Sequence, residues 1–138
     1  MLVMRLKVVL SLLVDHNQGA FIQDQSIIHS ILPTQDLIRH YRRKNISPRC
    51  ILKVDMKKTY DSIEWKFIEQ LMRAFGFPNT FIKWLMACLT TSSFSLMING
   101  EITGFFAGGI GLRQGDPISL LVFVLVMEYL TCISKIEA

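Results

Sequence analysis

Apolar residues recur at helical spacing along most of this chain and at strand spacing in two short stretches. Leu2 to Val14 reads as a helix with an apolar stripe, broken by Asp15-His16-Asn17-Gln18-Gly19. Ser26 is placed to cap a second helix, roughly Ile27 to Lys44, with Leu32, Leu37, Ile38 and Tyr41 on or near its buried side. Pro33 restricts that helix near its start or kinks it, because proline lacks the ladder N–H and crowds the preceding turn. Asn45 to Pro48 reads as a turn and Ile51 to Met56 as a strand. Asp61 is placed to cap the next helix, with Glu64 completing a capping box. That helix sets Ile63, Phe67, Leu71 and Phe75 on one face and stops at Gly76 and Pro78. Asn79 starts another, with Phe81, Trp84, Leu85 and Cys88 on or near its buried face.

The second half closes with a hairpin and a long helix. Phe94 to Ile98 and Glu101 to Phe106 flank Asn99-Gly100, a pair that accepts the two positive φ angles of a type I′ turn. Gly104, Gly108, Gly109 and Gly111 then loosen the chain into a loop. Asp116 as cap and Pro117 as first residue open a final helix. It is apolar on nearly every side through Met127, which predicts deep burial. No internal repeat or linker interrupts the pattern. The element order predicts an α+β chain, mostly helical with a short antiparallel sheet.

Composition narrows the class. The 138 residues match the length of one domain, and 51% hydrophobic against 19% charged residues excludes disorder. A mean hydropathy of +0.37 requires that much apolar surface be buried here or against a partner. The net charge of +4 is uneven: ten Lys or Arg face four Asp or Glu through Tyr60, and five face seven afterwards. Arg39, Arg42, Arg43 and Lys44 cluster with His40 and Tyr41. Such a cluster suits a solvated helix end whose cations complement the C-terminal dipole, with nucleic-acid phosphates as the alternative.

Cys50, Cys88 and Cys132 are odd in number and scattered, so they read as neither a disulfide framework nor a zinc site. A reducing compartment and no disulfide-linked partner follow as expectations. His16, His29 and His40 show no metal-ligand spacing. The longest apolar run, Leu120 to Met127, is far short of the ~20 residues of a bilayer span. The apolar patch after Arg5 and Lys7 has no small-residue cleavage site behind it. The expectation is an intracellular protein, of cytoplasm or nucleus, with no signal peptide or membrane contact.

Three segments carry candidate chemistry. Asp55 ends the apolar run from Ile51, where a rigid strand would hold a carboxylate in place. Two-metal phosphoryl transfer needs several oxygens around ions ~4 Å apart, and magnesium favours carboxylates, phosphate oxygens and water. Asp55 suits one ligand and the Met56 carbonyl another; a turn or capping role is the alternative. Tyr60 stands where an aromatic can lie beneath a nucleotide sugar and exclude a 2′-hydroxyl by bulk, or it is an ordinary core tyrosine. In Gly111-Leu112-Arg113-Gln114-Gly115-Asp116-Pro117, the glycines allow close backbone approach and Arg113 and Gln114 offer donors to a phosphate, sugar or base. The plain alternative is a loop before a capped helix.

Taken jointly, these segments resemble the reverse transcriptase of LINE-type (non-LTR) retrotransposons, especially plant ones, over nearly the whole chain. The resemblance rests on Arg5 to Leu10, His16 to Ile22, Arg43 to Cys50, Lys53-Val54-Asp55 through Tyr60-Asp61-Ser62, and Gly111 through Pro117, in that order and spacing. It implies partial fingers (1–50) and early palm (51–138) of a right-hand polymerase. Asp55, with Met56, would hold catalytic Mg2+. Tyr60, beside Thr59, would select deoxynucleotides, and Arg113, Gln114 and Gly115 would contact the incoming nucleotide. Arg42, Arg43, Lys44 and Lys53 would lie near the RNA–DNA duplex or the triphosphate. The parent reaction is RNA-templated DNA synthesis, in which a primer 3′-hydroxyl attacks the α-phosphate of a deoxynucleoside triphosphate.

The chain departs from that family in several places. The family's Ala-Asp-Asp motif should follow the last helix, and the chain ends at Ala138 without it. Asp24-Gln25-Ser26 stands where the family has Gly-Arg-Ser, Leu120 where it has proline, and Thr59 where it has alanine. The expectation is a fragment with one of three metal-binding carboxylates, binding magnesium weakly or not at all and inactive alone. A non-catalytic RNA-binding remnant and a functionless pseudogene product are the alternatives.

Overall fold

A computed structural model describes residues 1–15, 27–39, 41 and 53–136. The elements run α1 (Leu2–Leu13), α2 (Ile27–Arg39), α3 (Thr59–Ser62), α4 (Trp65–Ala74), α5 (Asn79–Thr90), β1 (Ser93–Ile98), β2 (Glu101–Ala107) and α6 (Pro117–Ile136). The described chain is thus mostly helical with one two-stranded antiparallel sheet. The Ser26 cap, the Asn45 to Pro48 turn and the cluster of His40, Arg42, Arg43 and Lys44 lie outside the described residues.

The core forms where apolar stripes of four helices meet. Leu6 and Leu10 of α1, Ile68, Leu71 and Met72 of α4, Ile82, Leu85 and Leu89 of α5, and Leu121, Val122, Val124 and Leu125 of α6 are all buried. α6 touches both α1 and α4, and α5 packs on α4. Beyond that stripe α6 is half-buried at Leu120, Phe123, Val126 and Met127, and Tyr129 and Leu130 are exposed, so its burial is one-sided. By length and composition α6 alone among the described helices is long enough to cross a membrane, a test that a core helix also passes. Its far end is tied to α1. Buried Glu128 accepts the Asp15 N–H at 3.3 Å, and Lys135 pairs with Asp15.

Several local expectations give way to tertiary contacts. Where its side chains are described, the apolar stripe of α2 is exposed: Leu32 and Ile38 are 59% and 57% exposed and Tyr41 is also exposed, while the Leu37 side chain lies outside the described residues. Periodicity marks the face a helix offers, and among the described residues no element covers this one. The helix runs through position 33 and is described as far as Arg39, and Tyr41 beyond it lies in a turn rather than in a helix. Residues 53–56 form no strand, because among the described residues no neighbouring strand supplies the ladder bonds a strand requires.

Asp61 does not cap the long helix. It lies inside the one-turn α3, and α4 starts only at Trp65, with Glu64 before it making no side-chain cap bond. The break falls at Ile63, whose side chain is buried and whose carbonyl accepts the Gly111 N–H at 3.0 Å. On α5 the buried row is Ile82, Leu85 and Leu89, leaving Trp84 and Cys88 exposed.

The hairpin forms as its sequence requires. Asn99 and Gly100 take φ of 51° and 87°, and Ile98 pairs with Glu101. Gly104 belongs to β2 rather than to a loop. The register slips between Ser95, opposite Phe105, and Leu96, opposite Thr103, which leaves Gly104 as the extra residue of a bulge with φ 65°.

Candidate nucleotide site

Two segments far apart in sequence are clasped together at the start of α6. The Leu112 N–H donates to the Tyr60 carbonyl at 2.7 Å and the Gly111 N–H to the Ile63 carbonyl. The Trp65 indole N–H, 46 positions away, donates to the Gly111 carbonyl at 2.8 Å. Gly111 has φ 87°, and a Cβ there would meet the Asp61 carbonyl oxygen at 2.9 Å and the Tyr60 carbonyl oxygen at 3.0 Å. Only glycine permits this approach.

The clasp sets Tyr60 against the loop that leads into α6. Asp116 caps that helix: its carboxylate accepts the N–H groups of Ile118 and Ser119 at 3.3 and 3.2 Å and the Ser119 hydroxyl at 2.8 Å. The fully buried Ser119 Oγ also accepts the Arg113 N–H at 3.1 Å, which fixes the loop between positions 113 and 119. The result is a cavity of about 350 Å³ lined by Tyr60, Arg113, Gln114, Gly115, Asp116, Pro117 and Leu120. Its lining mixes the apolar residues Tyr60, Pro117 and Leu120 with the polar residues Arg113, Gln114 and Asp116.

This size and mixture suit a nucleoside-sized ligand. The Asp116 cap already occupies two helix-terminal amides, so an anionic group in this cavity depends on Arg113 and Gln114 rather than on the helix end. Burial pushes the Tyr60 phenol above its usual value of 10.0, so it presents a neutral ring and hydroxyl near pH 7. A neighbouring cavity of about 450 Å³ shares Arg113 and Gln114 and is lined further by Asp61, Trp65, Phe94 and Ser92.

The expected site residues therefore separate into two groups. Tyr60, Arg113, Gln114 and Gly115 share one cavity. Lys53, Asp55 and Met56 lie in an exposed, irregular segment and do not line it. Thr59 also stays outside; its hydroxyl donates to the Met56 carbonyl at 2.9 Å, the carbonyl expected to face a metal. Lys58 between them takes a left-handed conformation, φ 51°, that turns the chain into α3. Sequence reasoning missed Trp65 and Phe123, whose ring stacks on Tyr60 at 4.3 Å between centroids. Neither has a local signature, whereas Ser119, three residues after Asp116, could have been read as a capping partner.

Residues 1–135 match the family described as reverse transcriptase (RNA-dependent DNA polymerase), and the chain belongs to that family. It is 26% identical over 132 residues to the transposon TX1 uncharacterized 149 kDa protein of Xenopus laevis, covering 96% of this chain and 10% of that protein. It is 30% identical over 95 residues to the retrovirus-related Pol polyprotein from type-2 retrotransposable element R2DM of Drosophila melanogaster, covering 69% of this chain and 9% of that one. A third relative, the Pol polyprotein from type-1 retrotransposable element R2 of Popillia japonica, is 27% identical over 97 residues. These similarities identify a reverse transcriptase segment of the non-LTR type. The chain spans 10% and 9% of the length of the first two relatives.

The family implies a divalent metal. Among the described residues no three His, Cys, Asp or Glu side chains come together around an ion. Asp55 is exposed, the Asp116 carboxylate is engaged as a cap, and the Met56 carbonyl already accepts a hydroxyl. The described donors do not complete a magnesium site.

Proposed function

We propose that this chain forms part of the fingers (1–50) and the early palm (51–138) of a right-hand RNA-directed DNA polymerase, and that the Tyr60–Arg113–Gln114 cavity receives the incoming deoxynucleoside triphosphate. One observation carries the reading: Gly111, by its backbone bonds and its lack of a Cβ, brings the Tyr60 segment and the Arg113 to Pro117 segment to one cavity. The apolar wall of Tyr60, Pro117 and Leu120 suits a deoxyribose, and the guanidinium of Arg113 suits a phosphate or a base acceptor. RNA template and DNA primer are the macromolecular partners on this reading. Asp55 contributes one carboxylate to a magnesium site that other residues must complete. The burial of the Leu121, Val122, Val124 and Leu125 face supports α6 as a core helix rather than a membrane span, and on this reading the protein acts inside the cell.

Equilibrium dialysis of the chain with a labelled deoxynucleoside triphosphate tests the reading. Binding should weaken in Arg113→Ala and in Gln114→Ala. Binding that neither substitution changes, or no binding at millimolar ligand, contradicts it.

A further inference from the structure

We infer that Phe123 is a positioning residue for sugar selection, holding the Tyr60 ring as a stiff wall of the cavity. The inference rests on the nucleotide reading of that cavity. Tyr60 lines the cavity and Phe123 does not. The Phe123 ring lies stacked on Tyr60, with centroids 4.3 Å apart and planes 21° from parallel. Phe123 belongs to α6 between Val122 and Val124, which are 0% and 1% exposed, so its backbone is anchored in the core. It sits one turn after Leu120, on the same helix face that meets the cavity.

Selection by bulk depends on stiffness. An apolar pocket rejects an added hydroxyl only modestly, because a side chain that can move aside absorbs the extra oxygen. Tyr60 is itself only half-buried, and its ring without support could turn away from a 2′-hydroxyl. The Leu112 N–H on the Tyr60 carbonyl fixes the backbone of that residue, and the stacked ring restricts its side chain. Backbone and ring are thus held from two sides, by the loop and by α6. An offset-stacked aromatic pair resists exactly this displacement with an attraction beyond simple area burial.

The test measures the ratio of dissociation constants for GTP and dGTP on the full chain. Tyr60→Ala should abolish the preference for dGTP. Phe123→Ala should lower the ratio by about two- to tenfold, the range an aromatic pair is worth, with dGTP affinity nearly unchanged. Phe123→Tyr, which keeps the ring, should restore it. Should Phe123→Ala fail to fold, Phe123→Leu keeps an apolar side chain without the ring and should lower the ratio in the same direction. A wild-type ratio in the alanine or leucine variant, with the preference lost in Tyr60→Ala, overturns the role of Phe123 alone. A ratio that Tyr60→Ala also leaves unchanged, or no nucleotide binding, overturns the cavity reading and this inference with it. Spectroscopic titration of the phenols, assigned by difference from Tyr60→Phe, reads the stack without any ligand: Phe123→Ala should bring the Tyr60 phenol down toward its usual range. A Tyr60 titration that does not move overturns the inference on its own.

Discussion

Gly111 and Asp61 approach so closely that a Cβ on the glycine would lie 2.9 Å from the Asp61 carbonyl oxygen. Gly111→Ala must therefore displace backbone as well as adopt a φ of 87°. The expected cost is about 2–4 kcal/mol, from left-handed strain together with the clash. Gly109→Ala is the matched control, because a Cβ there has nothing within 4 Å. Urea unfolding midpoints of the two variants should differ sharply, with the control near wild type.

Trp65→Phe keeps most of the ring volume and deletes the indole donor to the Gly111 carbonyl. Loss of this part-buried bond should destabilise by about 1–2 kcal/mol. The same measurement checks it, and dGTP affinity should fall with stability, since the bond holds the loop that leads to Arg113.

Asp116→Ala removes the cap from α6 and the acceptor of the buried Ser119 hydroxyl proton. The expected loss is about 1–3 kcal/mol. Asp116→Asn retains an acceptor oxygen of comparable capping strength and should recover most of that loss in thermal melts.

The alkaline limb of stability has a defined sign. Burial raises the Tyr60 phenol above 10.0 in the folded chain, so the folded state holds that proton more tightly. Its contribution is complete below pH 10.0 and is lost as pH rises through the folded value. Lys135, raised above 10.5 first by its hydrogen bond to Asp15, acts in the same direction at still higher pH. Unfolding free energy should therefore decline above pH 10.0, and Tyr60→Phe should flatten the first part of that decline.

Local chemistry was legible in the sequence wherever a few neighbouring residues decide the conformation. Asn99-Gly100 dictates its turn and Asp116-Pro117 starts α6, because positive φ and helix capping are properties of those residues themselves. The outcome was illegible where distant residues decide. Asp61 and Glu64 have the spacing of a capping box, yet the Gly111 bond to Ile63 breaks the helix between them. The Leu32 and Ile38 stripe is real in the sequence, but nothing in the stripe says whether a neighbour covers it. In the site, the residue types of Tyr60, Arg113 and Gln114 and their association through the family motif were readable. The supports supplied by Trp65 and Phe123 were not, since a hydrogen bond or ring stack across the fold leaves no local periodicity.

The function of the Tyr60–Arg113–Gln114 cavity is decided most directly by where a deoxynucleotide binds. Chemical-shift mapping of the isotopically labelled chain titrated with dGTP measures this residue by residue. The predicted result is saturable change at Tyr60, Arg113, Gln114, Gly115 and Leu120, with weaker change for GTP. Shifts confined to other surfaces, or equal responses to the two nucleotides at these residues, would contradict it.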